Sequence, residues 1–206
     1  MSRKRKLLDK QKAGARLRQF GRHSLADRKN DLYETPPCAT RALIPFLDPA
    51  EEIWEPACGP GAIVRELRDA GFVVHATDLV DYGQGRAHSG IDFLMERGDP
   101  WWPDVIVTNP PFKLADEFTR HALTLASTVW IFQRLNWLEG VKRADLMDVH
   151  LDQILLGRER LPMMHRDGWE GPKLAASAMP FAWFRFEAER SAGRVARFER
   201  ISWRGA

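Results

Sequence analysis

The tetrapeptide Asn109-Pro-Pro-Phe112 brings together groups suited to holding a planar amine. Two prolines stiffen the backbone and contribute no amide donors of their own. The carbonyls of Asn109 and Pro110 are then free to act as acceptors, and Phe112 offers a flat face for stacking. Acceptors beside an aromatic platform fit an exocyclic amino group on a planar base. Alone, the tetrapeptide also reads as a rigid turn between a strand and a helix. Two upstream features weigh against that. Glu55-Pro-Ala-Cys-Gly-Pro-Gly-Ala62 is a loop whose glycines let backbone run very close to a ligand. It is not G-x-G-x-x-G and no Walker lysine follows, so a pyrophosphate cradle is disfavoured. Glu55 would repel phosphate and attract a cationic ligand. Asp78 stands 17 residues beyond Gly61. A carboxylate there can accept both hydrogen bonds of a ribose diol. Occurring in this order, the three features point to a shared pocket.

That pocket requires strands that end where the motifs begin. Glu51–Glu55 reads as a short buried strand, with the glycine loop after it and a helix over 62–70 carrying Ile63, Leu67 and Ala70 on one face. Phe72–Thr77 is a second strand leading to Asp78, and Ile91–Leu94 a weaker third. Asp104–Thr108 is almost wholly apolar and therefore central, and Asn109 follows it directly. A helix over 114–126, a strand over 127–133 and a helix over 137–147 come next. Ile154–Leu156, Arg160–Met164 and Phe181–Phe186 read as extended. Upstream, Thr35 followed by Pro36 and Pro37 is a good helix start, with a kink expected at Pro45. Strands alternating with helices predict an α/β fold: a mostly parallel sheet with an antiparallel edge and helices on both faces. Trp54, Trp130 and Trp183 fall in strand patterns and are expected in the core.

Charge is uneven along the 206 residues. Residues 1–29 hold 11 Lys/Arg against two Asp/Glu, residues 30–184 hold 14 against 23, and residues 185–206 hold six against three. An acidic body with basic ends suits a polyanionic partner gripped by the ends. The expected organisation is a basic, flexible arm over 1–30 and one domain over 31–206. No apolar run approaches ~18 residues, so no membrane span is expected. Met1–Lys12 is basic without an apolar segment behind it, so no secretory signal is expected, and the expected compartment is cytoplasmic. Two cysteines give neither a disulfide framework nor a zinc pattern, and the six histidines show no metal-ligand spacing. Cys58 reads as a small packed residue within its loop. Pro37-Cys38 lies before the glycine loop, the wrong place for a nucleophile acting beside Asn109.

Three outlying groups are candidates for contact with nucleic acid. Lys113 can touch a phosphate or simply open a helix. Arg134-Leu-Asn-Trp137 follows the fifth strand on the same edge. The loop-like segment Met163–Lys173 carries His165, Arg166, Trp169 and Lys173, which can stack on bases and bind phosphate.

EPACGPGA followed by NPPF resembles the class I S-adenosylmethionine-dependent methyltransferases that modify amino nitrogens, above all the adenine-N6 DNA methyltransferases. Asp31-Leu-Tyr-Glu-Thr-Pro36 is similar to the segment that closes over the methionine part of the cofactor in many of them. The resemblance covers about residues 31–135 in its motifs and reaches Phe186 in its strand pattern. It implies a Rossmann-like fold and S-adenosylmethionine as cofactor, with S-adenosylhomocysteine as product. By the same resemblance Asn109, Pro110, Pro111 and Phe112 are catalytic. Cofactor contacts are implied for Tyr33, Thr35, Glu55, Ala57, Cys58, Gly59, Gly61, Asp78, Leu79, Asp92, Phe93 and Asn109. The implied partner is DNA, with the base flipped out of the helix. RNA adenine, RNA guanine-N2 and glutamine side chains are modified by enzymes with similar tetrapeptides. The motif order is similar to the gamma arrangement of the DNA enzymes. The chain departs from that group in lacking a large target-recognition domain, and its size is closer to the small methyltransferases of phages and prophages.

Overall fold

The computed structural model describes residues 32–83, 85, 87–97, 103–161, 179–191 and 193–204. The expected arm, and most of the loop expected to touch nucleic acid (His165, Arg166, Trp169 and Lys173 included), lie outside the described residues, as does 162–164 of the expected extended run. The described residues fall in the unit that begins at Leu32.

Eight strands form one sheet: β1 Ile53–Glu55, β2 Val74–Asp78, β3 His88–Ser89, β4 Val105–Thr108, β5 Thr128–Arg134, β6 Leu151–Gly157, β7 Phe181–Glu187 and β8 Arg197–Ile201. Their order is β3-β2-β1-β4-β5-β7-β6-β8. Strands β1 to β5 pair in parallel with one another. Strand β7 runs antiparallel between β5 and β6.

Helices α1 (Pro37–Leu43) and α2 (Ala62–Asp69) pack on one face, where Leu43 and Leu67 meet Ile53, Val107, Phe132 and Trp183. Helix α3 (Ala115–Leu125) covers the other, where Phe118 and Ala122 meet Trp54, Ile106, Ile131 and Phe184. The strand alternation sets this division, because neighbouring residues of β1, β4, β5 and β7 go to opposite clusters. Trp54, Trp130 and Trp183 are all buried, as expected. The Trp183 indole N–H donates to the Ala39 carbonyl at 2.9 Å, seating α1 on β7.

Three local expectations change. Thr35 makes no cap: the N-cap of α1 is Pro36, and the Thr35 hydroxyl is engaged elsewhere. The segment Ile91–Leu94 is not a strand. Asp92 accepts from the Leu94 N–H at 3.1 Å and starts a 3-10 turn over Phe93–Met95, a local bond that competes with sheet pairing. The expected helix over 137–147 is instead a series of short turns, Leu135–Leu138, Val141–Arg143 and Leu146–His150. Asp116 on α3 takes the Trp137 indole at 2.6 Å and the Arg143 guanidinium at 3.0 Å, and Gly140 turns at φ +123° between them. Tertiary anchors override helix propensity there.

The mostly parallel sheet with antiparallel pairing toward one edge is as expected, with β7 antiparallel to β5 and β6. Strand β8 adds beside β6 in parallel and becomes the outer strand. Four of its five residues are exposed and three are charged, so no periodicity announced it. It is held at its end by Trp203, whose indole packs so tightly on Gly157 that a Cβ there would lie 1.6 Å from Nε1. The Gly157 position tolerates no side chain.

Candidate functional site

Strand order reverses at β1, which has β2 on one side and β4 on the other. Ligands in open α/β sheets bind at such switch points, beyond the carboxyl ends of the strands. The glycine loop leaves β1, Asp78 ends β2 and Asn109 follows β4, so all three motifs meet there.

The loop is shaped by its glycines. Gly59 and Gly61 sit at φ +51° and +81°, left-handed values that side-chain-bearing residues rarely adopt. A Cβ on Gly59 would also lie 2.9 Å from Leu32 Cδ1. Asp78 fixes the loop from β2. Its Oδ2 accepts from the Gly59 N–H at 2.8 Å and its Oδ1 from the Val80 N–H at 2.8 Å. Each oxygen keeps a further lone pair for a ligand hydroxyl.

Glu55 ends β1 with 2% of its surface exposed, and its Oε2 has no hydrogen-bond partner among the described residues. Burial pushes its carboxyl well above the usual range, and the Asp78 charge adds to the shift. The Asn109 N–H and the Thr108 hydroxyl oppose it weakly, the hydroxyl from beyond hydrogen-bond geometry. The Cys58 thiol is pushed up to about 12, by burial first and then by Glu55 and Asp78. It is a packed thiol with no nucleophilic character.

Asn109 is the best-defined group of the site. Its Nδ2 donates to the Tyr33 carbonyl at 2.8 Å and to Thr35 Oγ1 at 3.0 Å. A carbonyl can only accept, so the amide orientation is determined: nitrogen toward Tyr33, oxygen away. That oxygen, Oδ1, is buried and has no partner among the described residues. It is an acceptor held ready for a donor.

The Phe112 ring is already covered. Tyr33 stacks on it at 5.1 Å between centroids and 17° between planes. The Arg134 guanidinium carbon lies 4.5 Å from its centroid, and Phe181 packs at 6.0 Å. Such aromatic and cation–π contacts hold a ring in place. Arg134 thus lies over Phe112 from the end of β5, and its buried Nε has no partner among the described residues.

The remaining candidates divide. Ala57 is half-buried beside the loop and Leu79 is 62% exposed beyond Asp78. Pro110 and Pro111 lead into the 3-10 turn Phe112–Leu114, in which Lys113 is exposed. Tyr33 and Thr35, implied as cofactor contacts, lie against Phe112 and Asn109. Phe93, expected at the cofactor, is a core residue: it is 2% exposed and packs on Trp54 and Phe118. Asp92, its neighbour, is occupied as the cap of its own turn. The sequence reading missed Phe181, which looked like any strand aromatic, and Leu32, which touches the loop only because Gly59 has no side chain. Among the described residues no group of His, Cys, Asp and Glu is placed to hold a metal ion, and no helix is long and apolar enough to cross a membrane.

No family model matches the chain, and no curated protein matches its sequence. Solved structures do match its backbone. A protein from Vibrio vulnificus YJ016 described as a modification subunit of a type I restriction enzyme aligns over 81% of this chain with a TM-score of 0.53 and 15% identity. The fold is that of the class I methyltransferases. This chain spans about half, 49%, of the Vibrio protein. A protein from Pyrococcus horikoshii described as an RNA methyltransferase aligns with 75% of this chain and 86% of its own length, at a TM-score of 0.52 and 16% identity. One from Agrobacterium tumefaciens described as an O-methyltransferase aligns with 81% and 85%, at 0.50 and 14%. These neighbours carry descriptions with different acceptors, so the methyltransferase fold leaves the acceptor to be argued from the site.

Proposed function

We propose that this chain is an S-adenosylmethionine-dependent methyltransferase that modifies the N6 amino group of adenine in DNA. The observation that carries the reading is the buried, unpartnered Asn109 Oδ1, fixed as an acceptor next to the diproline corner. Adenine N6 is a poor nucleophile because its lone pair is delocalised into the ring. Donating its hydrogens to Asn109 Oδ1 and the Pro110 carbonyl favours a more tetrahedral nitrogen, whose lone pair is then available. Phe112 supplies the stacking face, with Tyr33 or Arg134 giving way to the base. Rate enhancement by this chain is positioning and electrostatics.

The residues present fit the cofactor. The backbone of Gly59 and Gly61 can approach it closely, the spare Asp78 lone pairs can take a ribose diol, and the Glu55 carboxyl, whose Oε2 is unpartnered, can take the methionine ammonium. Bound, S-adenosylmethionine supplies an activated methyl group on a sulfonium. The basic ends of the chain and the site cations Arg134 and Lys113 support a nucleic-acid acceptor over a protein one. In a duplex the target base must leave the stack at a cost of a few kcal/mol.

The test is incubation with labelled S-adenosylmethionine and a panel of DNA, RNA and protein, followed by mass analysis of the modified nucleoside or residue. N6-methyladenine in DNA is the expected product. Label in RNA alone or in glutamine would replace this acceptor. Asn109→Ala should lower transfer by at least ~100-fold, the scale of losing one aligned polar group in an active site, while calorimetry shows cofactor affinity retained.

A further inference from the structure

We infer that Thr35, together with the Tyr33 carbonyl, is a positioning residue that sets which end of the Asn109 amide faces the acceptor. The inference rests on the proposed role of Asn109. It gives Thr35 a different task from the cofactor contact that its place in the sequence implies.

A primary amide can rotate by 180° and exchange its oxygen for its nitrogen. Only one of the two states suits an amine: oxygen toward it accepts a hydrogen bond, whereas nitrogen toward it sets donor against donor. Two acceptors, the Tyr33 carbonyl at 2.8 Å and Thr35 Oγ1 at 3.0 Å, take both hydrogens of Nδ2 and exclude the second state. Thr35 is 3% exposed, so no water substitutes easily for its hydroxyl.

The hydroxyl serves a partner distant in sequence. Thr35 lies one residue before the Pro36 N-cap of α1, and its hydroxyl accepts from Asn109 across 74 positions. The same segment touches the cofactor loop through Leu32, which occupies the space a Gly59 side chain would need. Residues 32–35 therefore link the loop to the orientation of Asn109.

The test uses Thr35→Val, which keeps shape and removes the acceptor, and Thr35→Ser, which keeps the acceptor. The Asn109 side-chain amide is followed by nitrogen-15 NMR, assigned by its disappearance in Asn109→Ala. In Thr35→Val its hydrogen exchange should quicken by ~10-fold or more and kcat should fall by about 10- to 100-fold, the range for one buried donor left unpaired. Cofactor Kd should stay within about 3-fold, and Thr35→Ser should restore both amide protection and kcat. Thr35→Ala provides the same comparison if the valine variant does not fold. An Asn109 amide that ignores loss of the hydroxyl overturns the inference, as does cofactor affinity falling in step with kcat. Should the wild-type protein methylate no amine, the proposed function fails, and the amide signal still decides whether Thr35 orients Asn109.

Discussion

Among the described residues two carboxylates are withdrawn from water, and their surroundings are opposite. Asp152, at the start of β6 and 0% exposed, is ringed by arginines: Arg185 at 2.7 Å, Arg197 at 2.8 Å and Arg194 at 3.3 Å. Burial alone would raise its pKa, but the bonds from Arg197 and Arg185 overcome that and hold it below the usual value. Glu55, at the end of β1, is buried to nearly the same degree, has no cation on it and carries a raised pKa. One charge is neutralised by the fold itself, and the other awaits neutralisation from outside. The first joins β6, β7 and β8 into one unit. The second lies at the switch point, between the glycine loop and Asp78.

Breaking the satisfied corner should have the largest effect. Asp152→Asn leaves Arg185, Arg194 and Arg197 without their shared partner, and urea unfolding should show a loss of about 3 kcal/mol. Next, Glu55→Gln should leave the fold intact, raise the melting temperature at pH 7 by about 2–4 °C and weaken cofactor binding by roughly 10-fold. A melting temperature that drops as much as in Asp152→Asn would erase the contrast between the two corners.

The pH dependence sharpens the contrast further. Glu55 has a native pKa above its ordinary ~4.3, so its contribution to stability is complete below that pH and fades as pH rises through the native value. Asp152 has a native pKa below its ordinary ~3.9, so its contribution is complete above that pH and is lost as pH falls through the native value. Wild type and Glu55→Gln should therefore converge in acid and separate, in favour of the variant, toward neutral pH. The smallest signal is calorimetric. Binding of a cationic cofactor should release up to about one proton from Glu55, seen as a heat that changes with buffer ionisation enthalpy and vanishes in Glu55→Gln.

The motifs were legible because their chemistry is local in sequence. A glycine loop after a strand, a carboxylate at the next strand end and NPPF after an apolar strand each announce themselves within a few residues, and all converge at the switch point. Strands β4 and β5 were legible because fully buried strands are apolar throughout. Strand β8 was not, since Arg197–Arg200 face solvent and its pairing depends on Gly157 accommodating a distant tryptophan. The turns after Arg134 were misread because Asp116, on another helix, decides their shape. Phe93 fell in a segment whose family role suggested a pocket wall, and only packing against Trp54 and Phe118 shows it to be core. The partners of Asn109 lie 74 and 76 positions away, a relation no local pattern carries.

The bond from the Trp183 indole to the Ala39 carbonyl spans 144 positions. The earliest described helix thus finds its seat only after the chain has been made through its seventh strand. Contacts of such long sequence separation form late, because the intervening loop must close before they give any return. Thr35 rides just ahead of that helix, one residue before its Pro36 cap. A chain halted before Trp183 would carry the glycine loop and NPPF and still lack the indole that seats the helix following Thr35.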